Sequence, residues 1–168
     1  KIESGQMNVV NEKFSLKEGI TNLLSIIKPK VEEKNLEFKI KIQDKITDEL
    51  IGDKIRLNQI LINLLDNSIK FTKKGSITFE INVKSSDFDF LTLQFLVKDT
   101  GTGISALQKS DVFQSFKKLH NSKKIEGLGL GLSIVSNLVE LMNGKIDYQT
   151  ELGKGTSFEV ILPFEIAK

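Results

Sequence analysis

The feature that most constrains this chain is a two-faced helical pattern in residues 56–72, RLNQILINLLDNSIKFT. Apolar residues recur at the i, i+3, i+4 spacing of a core-facing helix, at Leu57, Ile60, Leu61, Leu64 and Leu65. A second stripe of the same helix carries Asn63, Asn67 and Lys70. Carboxamides are weak helix formers, so this stripe is either a solvated face that happens to carry two Asn or a surface kept for a polar ligand. An amide oxygen can bind a hard cation and an ammonium can meet a phosphate, so the second interpretation predicts a site for a charged ligand.

The composition is that of one globular domain. At 168 residues the chain is long enough for one domain with its own core and short for two. Apolar residues make up 39%, which excludes wholesale disorder. The net charge of +2 comes from scattered basic residues, so no nucleic-acid footprint is visible and we expect no nucleic-acid partner. The sequence has no Cys, which excludes disulfides and thiolate metal sites and fits a reducing compartment.

The N-terminal residues are polar and weakly patterned. Because the chain begins with Lys1, we expect it to be part of a longer protein, with residues 1–7 as the tail of a helix whose body lies upstream. No run approaches the ~18 apolar residues that a membrane span needs. Any membrane anchor or sensing part of the parent protein would therefore lie outside this chain.

Capping signals and apolar periods predict three helices. Ser15, followed by Glu18, forms a capping box for a helix that extends to about residue 33. Asp53 is the predicted N-cap of the central helix. A glycine-rich stretch at residues 127–132 opens the last helix, which Asn143 and the following glycine end. Its predicted core-facing residues are Ile134, Val135, Leu138, Leu141 and Met142.

Alternating apolar residues predict at least five strands, in residues 36–42, 77–83, 91–97, 146–148 and 158–163. The last of these strands is expected to end at Pro163. Helices come before and between hairpins in this order. The pattern predicts an α+β sandwich in which one layer of helices covers one mixed sheet.

The glycines at residues 127–131 can serve a second purpose. A helix N-terminus that follows a glycine loop offers free N–H groups and a favourable dipole to a phosphate. The stretch is not a Walker loop, because no Gly-Lys-Ser/Thr follows, and it is not a Rossmann fingerprint, because no strand runs directly into it. A tight turn without a ligand remains the alternative interpretation.

Asp99 ends a predicted strand and is followed by Gly101 and Gly103. Its carboxylate can accept hydrogen bonds from an amino group, and the glycines leave room for a planar ring. An Asp that only starts a turn is the alternative. Together with the Asn stripe and the glycine loop, however, Asp99 completes the donors and acceptors of a magnesium-nucleotide site.

Five segments resemble the motifs of sensor histidine kinases, in the same order and at similar spacing. Residues 63–72 (NLLDNSIKFT) resemble the N box, residues 99–104 (DTGTGI) the G1 box, and residues 113–116 (FQSF) the F box. Residues 127–132 (GLGLGL) resemble the G2 box, and residues 153–158 (GKGTSF) the last glycine box. Five boxes in order are highly specific.

The resemblance covers about residues 8–164 and implies the Bergerat, or GHKL, fold, a two-layer sandwich with a mixed β-sheet covered on one face by three helices. It implies ATP and Mg²⁺ as cofactors. By the same resemblance Asn63 would hold Mg²⁺, Asn67 and Lys70 would contact phosphates, Phe71 would lie against the adenine, and Asp99 would bind the adenine amino group. The full implied nucleotide-binding set is Asn63, Asn67, Lys70, Phe71, Asp99, Gly101, Gly103, Ile104, Gly127, Gly129, Leu130, Gly131, Leu132 and Thr156.

Gln59 bears on what such a site would do with ATP. Hydrolysing members of the family carry a Glu one helical turn before the metal-binding Asn, as general base for water, and this chain has Gln59 there. A carboxamide cannot accept the proton. The residue therefore favours holding ATP until a phosphoacceptor arrives. His120 lies in a polar loop without the family's acceptor pattern, so we expect no catalytic residue on this chain.

The resemblance thus predicts a cytoplasmic catalytic domain, residues 8–168, which presents the γ-phosphate to a histidine on a dimerisation domain of the same protein. A response-regulator receiver domain would be a further partner. The full-length protein would be a homodimer and this fragment a monomer. Leu128 replaces the usual Thr of the G2 box, which leaves a nucleotide-sensing module without phosphotransfer as an alternative. An ATPase of the gyrase or chaperone type is a third hypothesis, which Gln59 disfavours.

Overall fold

The computed structural model describes residues 9–101, 129–151 and 153–168. In these ranges the helices are α1 (Leu16–Glu33), α2 (Lys54–Phe71) and α3 (Gly129–Leu141). The strands are β1 (Glu12–Ser15), β2 (Glu37–Ile42), β3 (Glu49–Gly52), β4 (Ser76–Ser86), β5 (Phe90–Asp99), β6 (Lys145–Glu151) and β7 (Gly155–Ile166).

The strands form one mixed sheet in the order β1-β3-β7-β5-β4-β2, with β6 paired to the first half of β7. β2 and β4 are parallel, and the other pairs are antiparallel. β7 and β5 are therefore central. The C-terminal end of β5 and the N-terminal end of β7 lie at the same edge of the sheet, where Lys98 of β5 is opposite Ser157 of β7. The predicted α+β sandwich with a mixed sheet is confirmed.

One face of the sheet and one stripe of each helix form the core. The inward residues of the central strands are almost fully buried: Ile77, Phe79, Ile81, Leu91, Leu93, Phe95, Val97, Phe158, Val160, Leu162 and Phe164. Leu23 and Ile27 of α1, Leu61 and Leu64 of α2, and Leu138 of α3 pack against them. Each fully buried side chain of this size stabilises the fold by about 1.5–3 kcal/mol relative to its exposed state. The apolar residues of α2 therefore contribute to the stability of the whole domain.

The helix starts are capped as predicted. Ser15 Oγ accepts the N–H of Glu18 at 3.2 Å, and Asp53 Oδ1 accepts the N–H of Arg56 at 3.0 Å. Asp53 has a second contact, because its Oδ2 accepts the N–H of Val10 at 2.9 Å. This buried carboxylate therefore fixes both the start of α2 and the segment that leads into β1.

Three details differ from the sequence prediction. The four-residue strands β1 and β3, which pair with each other, were not predicted. Leu141 was predicted to face the core and is 37% exposed, whereas Val139 is 1% exposed and takes its place. The last strand does not end at Pro163 but continues to Ile166, where it pairs with β3.

Candidate functional site

The end of β5 lies between β7 and the last turn of α2. A side chain at Gly155 of β7 would collide with the backbone carbonyl of Asp99, and one at Gly101 would collide with the carbonyl of Phe71. Gly155 also has φ +128°, which residues with a Cβ rarely adopt. The two glycines thus allow three segments of the chain, from β5, β7 and α2, to meet at one point.

The Asp99 carboxylate is the centre of this junction. Its Oδ1 accepts the N–H of Gly101 at 2.9 Å and the N–H of Thr156 at 3.2 Å. The Ser68 hydroxyl of α2 lies near the carboxylate and favours its charged form, but it makes no hydrogen bond of ordinary geometry to any described residue. A carboxylate offers about four lone pairs, so Asp99 keeps acceptor capacity for a ligand.

Burial of the Asp99 carboxyl raises its pKa above the ordinary value of 3.8. The hydrogen bonds from Gly101 and Thr156 and the nearby Ser68 hydroxyl act in the opposite direction, because they favour the charged form, but they are the smaller effects. Among the described residues no cation pairs with Asp99, and a half-buried acid that accepts hydrogen bonds from fixed donors in this way is typical of a ligand site.

The polar stripe of α2 approaches the same junction, because Asn67 lies one helical turn before Phe71, whose carbonyl borders Gly101. Asn67 is only 6% exposed, and its Nδ2 has no hydrogen-bond partner among the described residues. Buried amide donors are rarely left unpaired in native proteins, so this group points to a ligand with acceptor atoms. Asn63 and Phe71 are partly buried and Lys70 is exposed, with its Nζ 5.8 Å from the centre of the Phe71 ring. The predicted Asn stripe and Asp99 therefore belong to one region of the fold.

Thr156 is fixed through its backbone N–H, which donates to Asp99, and through its side chain. Its side chain is buried, and its Oγ1 lies 2.9 Å from Oγ1 of Thr150, the residue directly opposite in the β6–β7 hairpin. Sequence reasoning missed Ser68, Thr150 and the fully buried Thr72, which lies beside Gly101. Thr150 could have been found from the hairpin register about the glycine turn, whereas the other two carry no signal beyond their position next to the Asn stripe.

Gln59 lies one turn before Asn63 and is also fixed. Arg56 Nη1 donates to Gln59 Oε1 at 3.2 Å, and both side chains are partly buried. In the described part of the chain no three His, Asp or Glu side chains cluster as metal ligands. Within that part of the chain, a cation at Asn63 would find no acidic cluster and would rely on oxygen atoms of a bound molecule and of water, as Mg²⁺ commonly does.

The remaining predicted residues divide into two groups. The backbone of Gly129, Leu130, Gly131 and Leu132 forms the first turn of α3, which packs against α2. Gly103, Ile104, Gly127, Leu128, the F box at residues 113–116 and His120 lie outside the described residues, as do residues 1–7. No described helix has the length and apolar character to cross a bilayer.

Comparison with known proteins connects this geometry to a family. Residues 52–166 match the family described as "Histidine kinase-, DNA gyrase B-, and HSP90-like ATPase". The chain is 36% identical over 165 residues to hybrid signal transduction histidine kinase B of Dictyostelium discoideum, an alignment that covers 97% of this chain and 8% of that protein. It is 38% identical over 172 residues to the autoinducer 2 sensor kinase/phosphatase LuxQ of Vibrio cholerae serotype O1, covering 100% of this chain and 20% of LuxQ. The chain thus spans a fifth or less of the length of these two relatives.

Solved structures give the same fold. Full-length ShkA in complex with AMPPNP superposes with a TM-score of 0.76 at 27% identity, over 96% of this chain and 32% of ShkA. The catalytic domain of histidine kinase ThkA superposes with a TM-score of 0.68 at 22% identity, over 94% of this chain and 98% of that domain. The second similarity is one of fold alone.

Proposed function

Because the chain belongs to the histidine kinase-, DNA gyrase B- and HSP90-like ATPase family, we propose that it is the ATP-binding catalytic domain of a sensor histidine kinase. Its role would be to present the γ-phosphate of Mg-ATP to a histidine on a separate dimerisation domain. The observation that carries the proposal is the junction where Gly101, next to the end of β5, lies against the Phe71 carbonyl in the last turn of α2. It brings a carboxylate with spare acceptor capacity, Asp99, close to the part of α2 that holds a buried amide donor without a described partner, Asn67.

The carboxylate end of the site suits adenine. Asp99 accepts hydrogen bonds, and the adenine amino group donates them, so the two are complementary. Guanine has a carbonyl oxygen at that position. This oxygen and the Asp99 carboxylate are both acceptors, so they could not form a hydrogen bond. Phe71, partly exposed at the last turn of α2, offers an aromatic surface to the base.

The α2 end of the site suits phosphates and Mg²⁺. The Asn67 Nδ2 donor and the Lys70 ammonium can both bind phosphate oxygens, and the ammonium adds positive charge. The Asn63 amide oxygen would hold Mg²⁺ together with oxygen atoms of the nucleotide and of water. The ion would supply positive charge that stabilises the negative charge on the leaving ADP.

Transfer of the γ-phosphoryl group to a histidine of another domain fits this site better than hydrolysis of ATP does. Gln59 cannot take a proton from water, and Arg56 holds its oxygen. Phosphoryl transfer depends mainly on positioning and electrostatics, so a site without its own base can still serve an acceptor that is itself a nucleophile. The partners would be a histidine-bearing dimerisation domain of the same protein and a receiver domain, in a homodimeric parent.

Titration calorimetry with ADP and AMPPNP, each with Mg²⁺, tests the binding half of the proposal. We expect binding by the wild type and a strong loss in Asn67→Asp, which sets a negative charge against the phosphates. Asn58→Asp is the matched control, because Asn58 lies on another face of α2 and its variant should bind normally. The absence of binding heat in the wild type would refute the proposal.

Phosphotransfer separates the proposal from its alternatives. The domain is mixed with the dimerisation domain of its parent protein and γ-labelled ATP. Label on histidine supports the kinase. Binding without label on histidine would instead indicate the nucleotide-sensing module that Leu128 suggests, and steady phosphate release by the isolated domain would indicate an ATPase.

A further inference from the structure

Arg56 and Gln59 form a contact at the start of the polar stripe of α2. Arg56 Nη1 donates to Gln59 Oε1 at 3.2 Å. Positions 56, 59 and 63 are three and four residues apart, so both side chains lie on the helix face that carries Asn63. An amide has one acceptor oxygen and one NH₂ donor group. A guanidinium on the oxygen leaves the NH₂ group as the end that a ligand can reach.

We propose that the Arg56–Gln59 pair helps to determine which nucleophile this site accepts: Gln59 offers no base, and Arg56 occupies its oxygen and would weaken the basicity of an acidic residue at position 59. The inference rests on the proposed function, because it concerns the γ-phosphate of bound ATP. In hydrolysis the water oxygen bonds to the γ-phosphorus and the bond to the β,γ-bridging oxygen breaks. One water proton must pass to a base, and ADP and inorganic phosphate are formed.

Two features of the contact oppose that proton transfer. The amide of Gln59 has no basic site, and Arg56 occupies the oxygen to which a water proton could point. Water is therefore a poor nucleophile here, whereas the ring nitrogen of a neutral histidine needs no base to attack. Arg56 is a positioning residue in this scheme, since it acts through residue 59.

The influence of Arg56 should persist if residue 59 is made acidic. A glutamate at that position would lie beside a permanently charged guanidinium, which lowers the pKa of a carboxyl. A carboxylate with a lower pKa is a weaker base. Gln59→Glu alone should therefore recover little hydrolysis, and full recovery should also require removal of the Arg56 charge.

The test is steady-state phosphate release at saturating Mg-ATP by the wild type, Gln59→Glu, Gln59→Glu with Arg56→Met, and Gln59→Glu with Arg56→Lys. Methionine keeps the apolar stem and helix propensity of Arg, and lysine keeps its charge. We expect the Met double variant to hydrolyse ATP about two- to fivefold faster than Gln59→Glu, as for the loss of one partly exposed ion pair. The acid limb of its pH–rate profile should move to higher pH. The Lys double variant should behave like Gln59→Glu.

Two outcomes would overturn the inference. Equal rates and pH profiles for Gln59→Glu and the Met double variant would overturn the inference, and so would rates at the wild-type level in both. Calorimetry with Mg-ADP on every variant monitors the site itself, and Arg56→Gln is a second replacement if Met disturbs α2. If the wild type binds no nucleotide, the proposed function fails and the inference fails with it.

Discussion

Replacement of Asp99 by Asn tests the base-binding end of the site. The Asn side chain can keep the two hydrogen bonds that Oδ1 now accepts from Gly101 and Thr156, so the junction should remain folded. Its NH₂ group then takes the place of the second carboxylate oxygen. An NH₂ donor facing the adenine amino group, also a donor, cannot form a hydrogen bond.

The expected loss follows from the kind of hydrogen bond that is removed. A hydrogen bond to a charged acceptor contributes about 1.5–3 kcal/mol, which corresponds to about a ten- to 150-fold weaker affinity for ADP. GDP and IDP carry a carbonyl oxygen at the position of the amino group, and the Asn NH₂ can donate to it. The ratio of the affinity for ADP to the affinity for IDP should therefore fall by a larger factor than the affinity for ADP does.

The raised pKa of Asp99 gives this prediction a pH dependence. Because burial favours the protonated carboxyl in the folded domain, the acceptor is lost as the pH falls through the raised folded pKa. The ADP affinity of the wild type should fall over that range, and that of the Asp99→Asn variant should not.

The stability of the fold should change with pH in the opposite direction. A carboxylate whose folded pKa is raised destabilises the fold above that pKa, and this contribution disappears as the pH falls towards the unfolded value. The stability of the wild type relative to Asp99→Asn should therefore rise on acidification.

Calorimetry with ADP, GDP and IDP at several pH values measures these effects, with urea unfolding of the same samples. Asp147→Asn is the matched control, because Asp147 is an exposed carboxylate on β6 and its loss changes the net charge equally. An equal loss of affinity for all three nucleotides in Asp99→Asn would show that the carboxylate supports the fold and does not read the base.

Three further variants test single residues of the fold and of the site. Gly155→Ala should destabilise the domain by about 2–4 kcal/mol, because a Cβ there collides with the backbone at the end of β5 at φ +128°. Gly153→Ala, at φ +84° with no atom within 4 Å, should cost only about 1 kcal/mol, and equal losses in urea unfolding would refute the steric reason. Asp53→Ala removes the α2 cap and the acceptor of the Val10 N–H, and should cost about 1–3 kcal/mol by urea unfolding; an unchanged midpoint would contradict this. Asn63→Ala should abolish the Mg²⁺ dependence of AMPPNP binding in calorimetry, and a retained dependence would remove Asn63 from the metal site.

Local signals made much of the fold predictable. Ser15 and Asp53 act on the N–H groups three residues ahead, so their caps are visible in the sequence and are confirmed. The long strands β4 and β5 are equally clear, because one buried face imposes strict alternation over seven or more residues. These features depend on neighbours along the chain or on a single large core.

The missed elements depend on distant partners. β1 and β3 are four residues each and exist because they pair with each other and because β3 also pairs with the end of β7. Leu141 lies in the last turn of α3, where the apolar stripe is wide enough for either it or Val139 to face the core. Tertiary packing buries Val139. No local pattern could have decided between the two.

The candidate site shows the same division. Asn67 and Asp99 could be singled out because the amide stripe, the carboxylate at a strand end and the glycine loop together match a nucleotide site, although each of them alone is common. Their proximity, where Gly101 lies against the last turn of α2, and the pairing of Thr150 with Thr156 arise only when α2, β5 and the β6–β7 hairpin come together. Likewise, the contact of Arg56 with Gln59 depends on side-chain conformations that helical spacing permits but does not require.

Asp99 and the α2 amides are proposed to bind opposite ends of one nucleotide, and a crystal structure of the domain with Mg-AMPPNP tests this most directly. We expect the adenine amino group within hydrogen-bonding distance of the Asp99 carboxylate, and phosphate oxygens at Asn67 Nδ2. A nucleotide bound elsewhere, or one that touches the carboxylate while its phosphates point away from α2, would contradict the shared pocket.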